Sequence, residues 1–371
     1  MVTTEMLPAA VLAPMSTGLG VAEAQIARLV SLWATIVVLA SFPLLRLTRG
    51  RDGRLVIMIG MLALTVSSGL TAAAPTYGAV IGARLLGAAA VGLLWATVNA
   101  YVADLVSDRL LGTAVAVVFG GATLGMVVGT PVARLITDLA GWRTAFAGLA
   151  AVGLVVAVLV RLVVARPVDL PGERAGGADA LAEPGSARPM LLLTGLVALV
   201  LVGHYGAYTF ITRLAEVPAE TLPGTISTLL LVFGIASALG VALAGRVGDR
   251  SGRALLVSVA LTAVALLALG VVTAHTLLGL AVVVGWGVVS GAMPPLAQTQ
   301  ILRLAGPAHR ATAGALIPVL FNGAIAIGAG LASLVVAGSG VGALPVPAAA
   351  IVALAAVGLA IAIRRGDSGA R

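Results

Sequence analysis

Three ionisable side chains stand inside long apolar stretches of this chain, and with them it could handle a proton: Glu5, Arg84 and His204. Glu5 lies about 12 residues, roughly 18 Å of helix, from the far end of the first apolar stretch, which places it near the middle of a hydrocarbon layer. A carboxylate at that depth is costly unless it is protonated or solvated by a cavity, and a group held between those states can load and unload a proton. The competing reading is a residue near an N-terminus that snorkels to water and does no chemistry. Arg84 sits about seven residues inside the fourth stretch and cannot neutralise itself by losing a proton. It either faces a polar interior or snorkels over roughly 10 Å to the outer face. His204 titrates near neutral pH, yet a lone histidine in a helix is also read as a packed, hydrogen-bonded residue.

These groups must be held by helices in a bilayer. The chain has 371 residues, 60% of them hydrophobic and 10% charged, too few polar side chains to cover a soluble globule. The apolar runs are about 20 residues long, enough to span roughly 30 Å as helix, and they lack the period-2 alternation of barrel strands. A helix also satisfies its own backbone hydrogen bonds in lipid. The net charge of +8 is carried by arginine alone, and without a basic helix face and interleaved aromatics it reads as a topology signal rather than a nucleic-acid surface. With no cysteine there is no disulfide or thiolate metal chemistry, and three scattered histidines do not form a metal site. The first apolar segment lacks a basic leader and contains Glu5, so it does not read as a cleavable signal peptide.

The spans fall near 6 to 17, 26 to 45, 55 to 74, 77 to 102, 112 to 133 and 144 to 160, then near 190 to 211, 225 to 244, 254 to 273, 276 to 297, 311 to 336 and 342 to 363. Residues 166 to 189, rich in Pro, Gly, Asp and Glu, read as a cytoplasmic linker between an N-terminal bundle, 1 to 165, and a C-terminal bundle with a short tail, 190 to 371. Arginines gather in every second loop and the tail, while the opposite loops keep only Arg134, Arg143 and Arg213, so both termini are expected in the cytoplasm. A shift of about 200 residues lays the first six spans on the last six. In that register His204 comes close to the level of Glu5, and the first span is expected to be missing about ten residues upstream of Met1.

One charged hinge is more specific. Gly245-Arg-Val-Gly-Asp249-Arg250-Ser-Gly252-Arg253, between spans 8 and 9, matches the G-x-x-x-D-R-x-G-R signature of major facilitator superfamily transporters. The equivalent loop in the first half, 45 to 54, keeps its arginines but carries Thr48 where the aspartate belongs. Gly141-Trp142-Arg143-Thr-Ala-Phe146 resembles the opening of the sixth helix in drug:proton antiporters. Thr3-Thr4-Glu5, Leu7-Pro8 and Leu19-Gly20-Val21 are similar to the first helix and following loop of arabinose-efflux-like and chloramphenicol-resistance-like permeases. Pro294-Pro295-Leu-Ala-Gln298-Thr-Gln300 and Phe321-Asn322-Gly323 resemble spans 10 and 11 of that group. Ala83-Arg84-Leu-Leu-Gly87 resembles the fourth-helix motif in which the arginine faces the central cavity and serves proton coupling, with Ala88 where a glycine is usual. Gly121, Gly125 and Gly129, followed by Pro131, resemble the antiporter motif of span 5, with Thr130 splitting its Gly-Pro pair; close helix packing explains the same row.

The resemblance implies an all-α integral membrane protein of the twelve-helix drug:proton antiporter branch, with two pseudo-symmetric six-helix bundles. It implies export of a small amphipathic solute or drug by alternating access, driven by the proton gradient with no cofactor, and as the alternative a sugar or metabolite efflux permease. Trp95, Asn99, Tyr205, Tyr208, Gln298 and Asn322 are cavity liners on this reading, and each is also explained as helix-packing glue. Asp249 is expected to face the start of span 5 near Gly112, closing the inner side as a latch. A monomer in the plasma or inner membrane is expected. No nucleophile, metal or base constellation of an enzyme is visible, and the linker is too short for the effector of a membrane sensor.

Overall fold

Pro8 and Pro14 both fall within the first span, and neither can donate the hydrogen bond a helix needs at its position. The computed structural model accordingly divides that span into Val2–Ala10 and Leu12–Leu19, parted at Val11 with φ −128° and ψ 35°. It describes residues 1–48, 50–107, 109–163, 187–223, 225–247, 252–271 and 276–369. The following spans are Glu23–Leu47, Gly53–Ala73 and Tyr77–Leu105, then span 5 as Leu111–Leu124 and Thr130–Ala140 joined by a π-helical Gly125–Gly129, then Trp142–Val163. Spans 7, 8 and 9 are Arg188–Thr209, Thr225–Val247 and Gly252–Ala268. Helix Thr276–Ser339 contains spans 10 and 11, which part at Gly306, where φ 56° and ψ 179° need a glycine; Pro345–Gly369 is span 12. Ten helical stretches among the described residues are long and apolar enough to cross a bilayer. The divided first span and the 17-residue Gly252–Ala268 are the shorter members. The linker expected at 166 to 189 lies outside the described residues except for its last three.

By contact the chain groups into two units. One comprises Met1–Leu105, Gly121–Ser186 and Gly306–Val319. Within it span 4 packs on spans 2 and 3, span 6 on span 3, and span 1 lies against spans 2 and 5. Leu7, Val11 and Met15 of span 1 are fully buried with Ile26, Val80, Trp142 and Phe146. The other unit comprises Val106–Gly120, Ala187–Ala305 and Leu320–Arg371, with span 12 packed on spans 7 and 9. Close glycine contacts add spans 8 with 10 and 7 with 11. The pairings 1 with 5, 2 with 4 and 3 with 6 thus return six spans later as 7 with 11, 8 with 10 and 9 with 12, the structural counterpart of the sequence repeat. Large apolar side chains such as Leu139, Leu162, Leu277 and Leu334 point outward, a surface that lipid solvates and water does not.

Candidate functional site

In the first unit the site is built on a carbonyl that a proline sets free. Thr4 would receive its helical hydrogen bond from the residue four positions on, which is Pro8. Arg84 supplies the missing donor: its Nη1 donates to the Thr4 carbonyl at 2.7 Å and its Nη2 to the Glu5 carbonyl at 3.1 Å. The guanidinium carbon lies 4.0 Å from the Trp33 ring centroid and 5.9 Å from that of Phe146. At 1% exposure the arginine does not reach the outer face; it points across the bundle at span 1. A planar fork that donates to two carbonyls and stacks on an indole suits arginine and not lysine. Glu5 is partly buried on the same turn and interacts electrostatically with Arg84. Backbone carbonyls and ring faces thus hold the guanidinium alongside the Glu5 carboxyl.

Span 5 holds the same short helix. Thr3 Oγ1 donates to the Gly125 carbonyl at 2.8 Å, and a Cβ at Gly129 would stand 2.4 Å from that hydroxyl. Gly121, the third member of the glycine row, has open space where its Cβ would be. Pro131 lies two residues past the π segment inside a continuous helical span, where it has no N–H to donate. Farther along, Nη1 of Arg134 donates to the Ala10 carbonyl at 2.7 Å. Of the Gly141-Trp142-Arg143 motif, Trp142 is buried edge-on to Phe146, and Arg143 Nη2 donates to the Ala74 carbonyl at 3.1 Å. That motif is a corner brace. On span 4, Asn99 is buried and Trp95 half-buried, about four and three turns of helix past Arg84 toward the loop to span 5.

The second unit gathers an aromatic cluster around His204. Its ring centroid is 4.9 Å from Tyr205, 6.0 Å from Tyr208 and 5.5 Å from Trp286. Phe233 closes the group, 5.3 Å from Tyr208 and 5.1 Å from Trp286. Trp286 Nε1 donates to His204 Nδ1 at 3.1 Å. An indole can only donate, so Nδ1 is the acceptor and the neutral imidazole carries its proton on Nε2. A second proton would have to break the indole bond. Sequence reasoning named His204, Tyr205 and Tyr208 but not Phe233 or Trp286; the signal available was a tryptophan in the middle of an apolar span with no interface to explain it. Replacing Trp286 with Phe strands a buried acceptor and should cost about 1–3 kcal/mol, read as a fall in Tm, whereas Trp286→Phe combined with His204→Phe removes both partners and should cost less than the single change. Gln298 is buried on span 10 and Asn322 half-buried on span 11, beside the Phe119–Phe321 pair at 6.4 Å.

Of the signature loop, Asp249 and Arg250 lie outside the described residues. Gly245 lies against the start of span 5, its carbonyl accepting from Thr113 Oγ1 at 3.0 Å, and Gly252 opens span 9 against Ile363. Arg253 is exposed, and Gly112 is buried. In the first-half loop, Thr48 Oγ1 is spent on its own helix end, donating to the Leu44 carbonyl at 2.9 Å, while Asp52 caps span 3 by accepting from the Arg54 N–H at 2.9 Å. A separate ion pair joins the end of span 4 to the start of span 11, Arg310 Nη1 to Asp104 Oδ1 at 2.9 Å.

Two chloramphenicol efflux pumps of Mycobacterium tuberculosis strains are 28% identical over 313 residues and 29% over 319, in each case 82% of this chain and 76% of the relative. Among solved structures, a human organic anion transporter superposes with a TM-score of 0.76 at 17% identity, covering 96% of each chain. The E. coli fucose:proton symporter superposes with 0.76 at 14% identity, covering 97% of this chain and 95% of the other. These two likenesses are of fold. Residues 1–219, more than half of the chain, match the Major Facilitator Superfamily profile, and this multi-pass membrane protein belongs to that superfamily of transporters.

Proposed function

We propose that the protein is a proton-coupled exporter of small amphipathic solutes, with Glu5 as the proton-loading group and Arg84 as its fixed counter-charge. The observation that carries this is the Arg84 fork: a buried cation donating to the Thr4 and Glu5 carbonyls, beside a carboxylate inside an apolar span. Coupling requires that proton and solute each favour one state of the transporter over the other, and a carboxylate whose charge changes next to a fixed cation supplies such a difference. His204 takes a proton only by surrendering its indole bond, so the coupling proton is assigned to Glu5 and the aromatic cluster to solute contact through Tyr205 and Tyr208. The arginine distribution supports cytoplasmic termini. The chain acts as a monomer in the plasma or inner membrane, exposes Glu5 alternately to the two faces, and draws on the proton gradient without a cofactor.

The relatives' printed activity makes chloramphenicol the first solute to test. Purified protein in liposomes, given chloramphenicol and then a sugar such as fucose, should show proton movement with the first and none with the second. No solute-induced proton flux would refute antiport, and flux with sugar alone would replace the drug reading.

A further inference from the structure

The first span holds two proline-freed carbonyls, and each is met by an arginine from another helix. Pro8 frees Thr4, which Arg84 occupies. Pro14 frees Ala10, and Arg134 of span 5 donates to it at 2.7 Å. Arg134 is itself aimed by Asp138, one turn on, through Nε at 3.0 Å and 3.1 Å from the two carboxylate oxygens. Ala10 is the last residue of Val2–Ala10, where the partial negative charge of the helix collects and a cation is favoured. The chain breaks one residue later, at Val11. The short helix that carries Glu5 is thus tied at its start by Thr3 to Gly125, in its middle by Arg84, and at its end by Arg134.

We propose that Arg134 is a positioning residue for Glu5: by occupying the carbonyl that Pro14 frees, it fixes the break at Val11 and with it the rotation and height of the Glu5 helix against Arg84. Ala10 and Glu5 are about 7.5 Å apart along one rigid helix, so a turn at one end is carried to the other. Loss of the guanidinium takes away the side-chain donor to the Ala10 carbonyl, at a half-exposed end of the helix where Arg134 and Asp138 are 45% and 49% exposed, and the helix relaxes toward another donor. The transport consequence rests on the proton-loading reading of Glu5; the tie itself does not.

A proline-to-alanine change separates the two. Pro14→Ala provides an N–H four positions on from Ala10, across the break at Val11, and leaves Arg134 nothing to satisfy. Four proteins in liposomes and in detergent decide the matter: wild type, Arg134→Gln, Pro14→Ala and the double variant. Arg134→Gln should lower Tm and move the pH midpoint of chloramphenicol-induced proton flux by at least about 0.5 unit. The double variant should match Pro14→Ala in both readouts, and Arg134→Lys, which keeps a cationic donor of longer reach than the neutral glutamine amide, should recover most of the wild-type midpoint. The proposal is overturned if Arg134→Gln behaves as wild type, if its losses are as large in the Pro14→Ala background, or if it fails to fold in both. Coupling in Tm without a shift in pH midpoint would make Arg134 a structural tie and overturn the positioning role. If even the wild type moves no protons, the Tm comparison still decides the tie, and the exporter reading falls on its own.

Discussion

Glu5→Gln is expected to abolish uphill transport while leaving the protein folded and able to equilibrate solute downhill. A pH difference of one unit is worth about 1.4 kcal/mol per proton, so exchange of one proton for one neutral solute sustains about a tenfold solute ratio across the membrane. The glutamine keeps the size and hydrogen-bonding capacity of the side chain but cannot titrate, so the same gradient should sustain a ratio of one. The Arg84 fork predicts that folding survives, because the guanidinium is held by the Thr4 and Glu5 carbonyls and by Trp33, none of which the substitution touches. Arg84→Lys should fail differently. A point charge cannot donate to both carbonyls and stack on the indole, and loss of Tm should accompany loss of coupling. Solute ratios measured in liposomes with an imposed pH gradient distinguish the cases; an accumulating Glu5→Gln protein would show that the coupling proton binds elsewhere.

Gly240→Ala and Gly291→Ala should be the most damaging single-methyl changes in the second unit. A Cβ at Gly240 would lie 2.0 Å from the Val288 carbonyl oxygen, and one at Gly291 would lie 2.2 Å from that of Ser237. Both obstacles are backbone, so spans 8 and 10 must move apart instead of turning a side chain. Overpacking of this kind costs about 1–3 kcal/mol, a fall of several degrees in Tm, and the larger Gly240→Leu should give no folded protein. Gly121→Ala is the control: it meets nothing within 4 Å and should be neutral or slightly stabilising in its helix. Equal Tm losses at Gly121 and Gly240 would show that the spacing of glycines, and not the contact, governs stability.

The helix count, the bilayer setting and the kinship were legible in the sequence, because hydrophobic run length and arginine placement are local quantities. The ionisable residues were legible too, since a charge inside an apolar run is conspicuous wherever the run packs. Span boundaries came within a few residues, except where Gly306 parts two spans inside one helical stretch and where Leu111–Ala140 carries span 5 a full turn and more past 133.

What the sequence by itself determined is therefore which residues are exceptional: Glu5, Arg84 and His204 in apolar spans, prolines within the first helix, and a row of glycines in span 5. Which of those exceptions meet was decided only by the tertiary structure. Pro8 announces a free carbonyl at Thr4 but not that an arginine 80 positions away will occupy it. Glycine spacing marks Gly121 as strongly as Gly129, yet Gly129 abuts Thr3 and Gly121 faces open space. His204 reads as titratable until Trp286, 82 residues away, is found donating to its Nδ1. The physical reason is the same in each case. Apolar periodicity says that a helix lies in lipid, but in a helix apolar on nearly every face it does not say which face meets a neighbour, and hydrogen-bond satisfaction across helices depends on that choice.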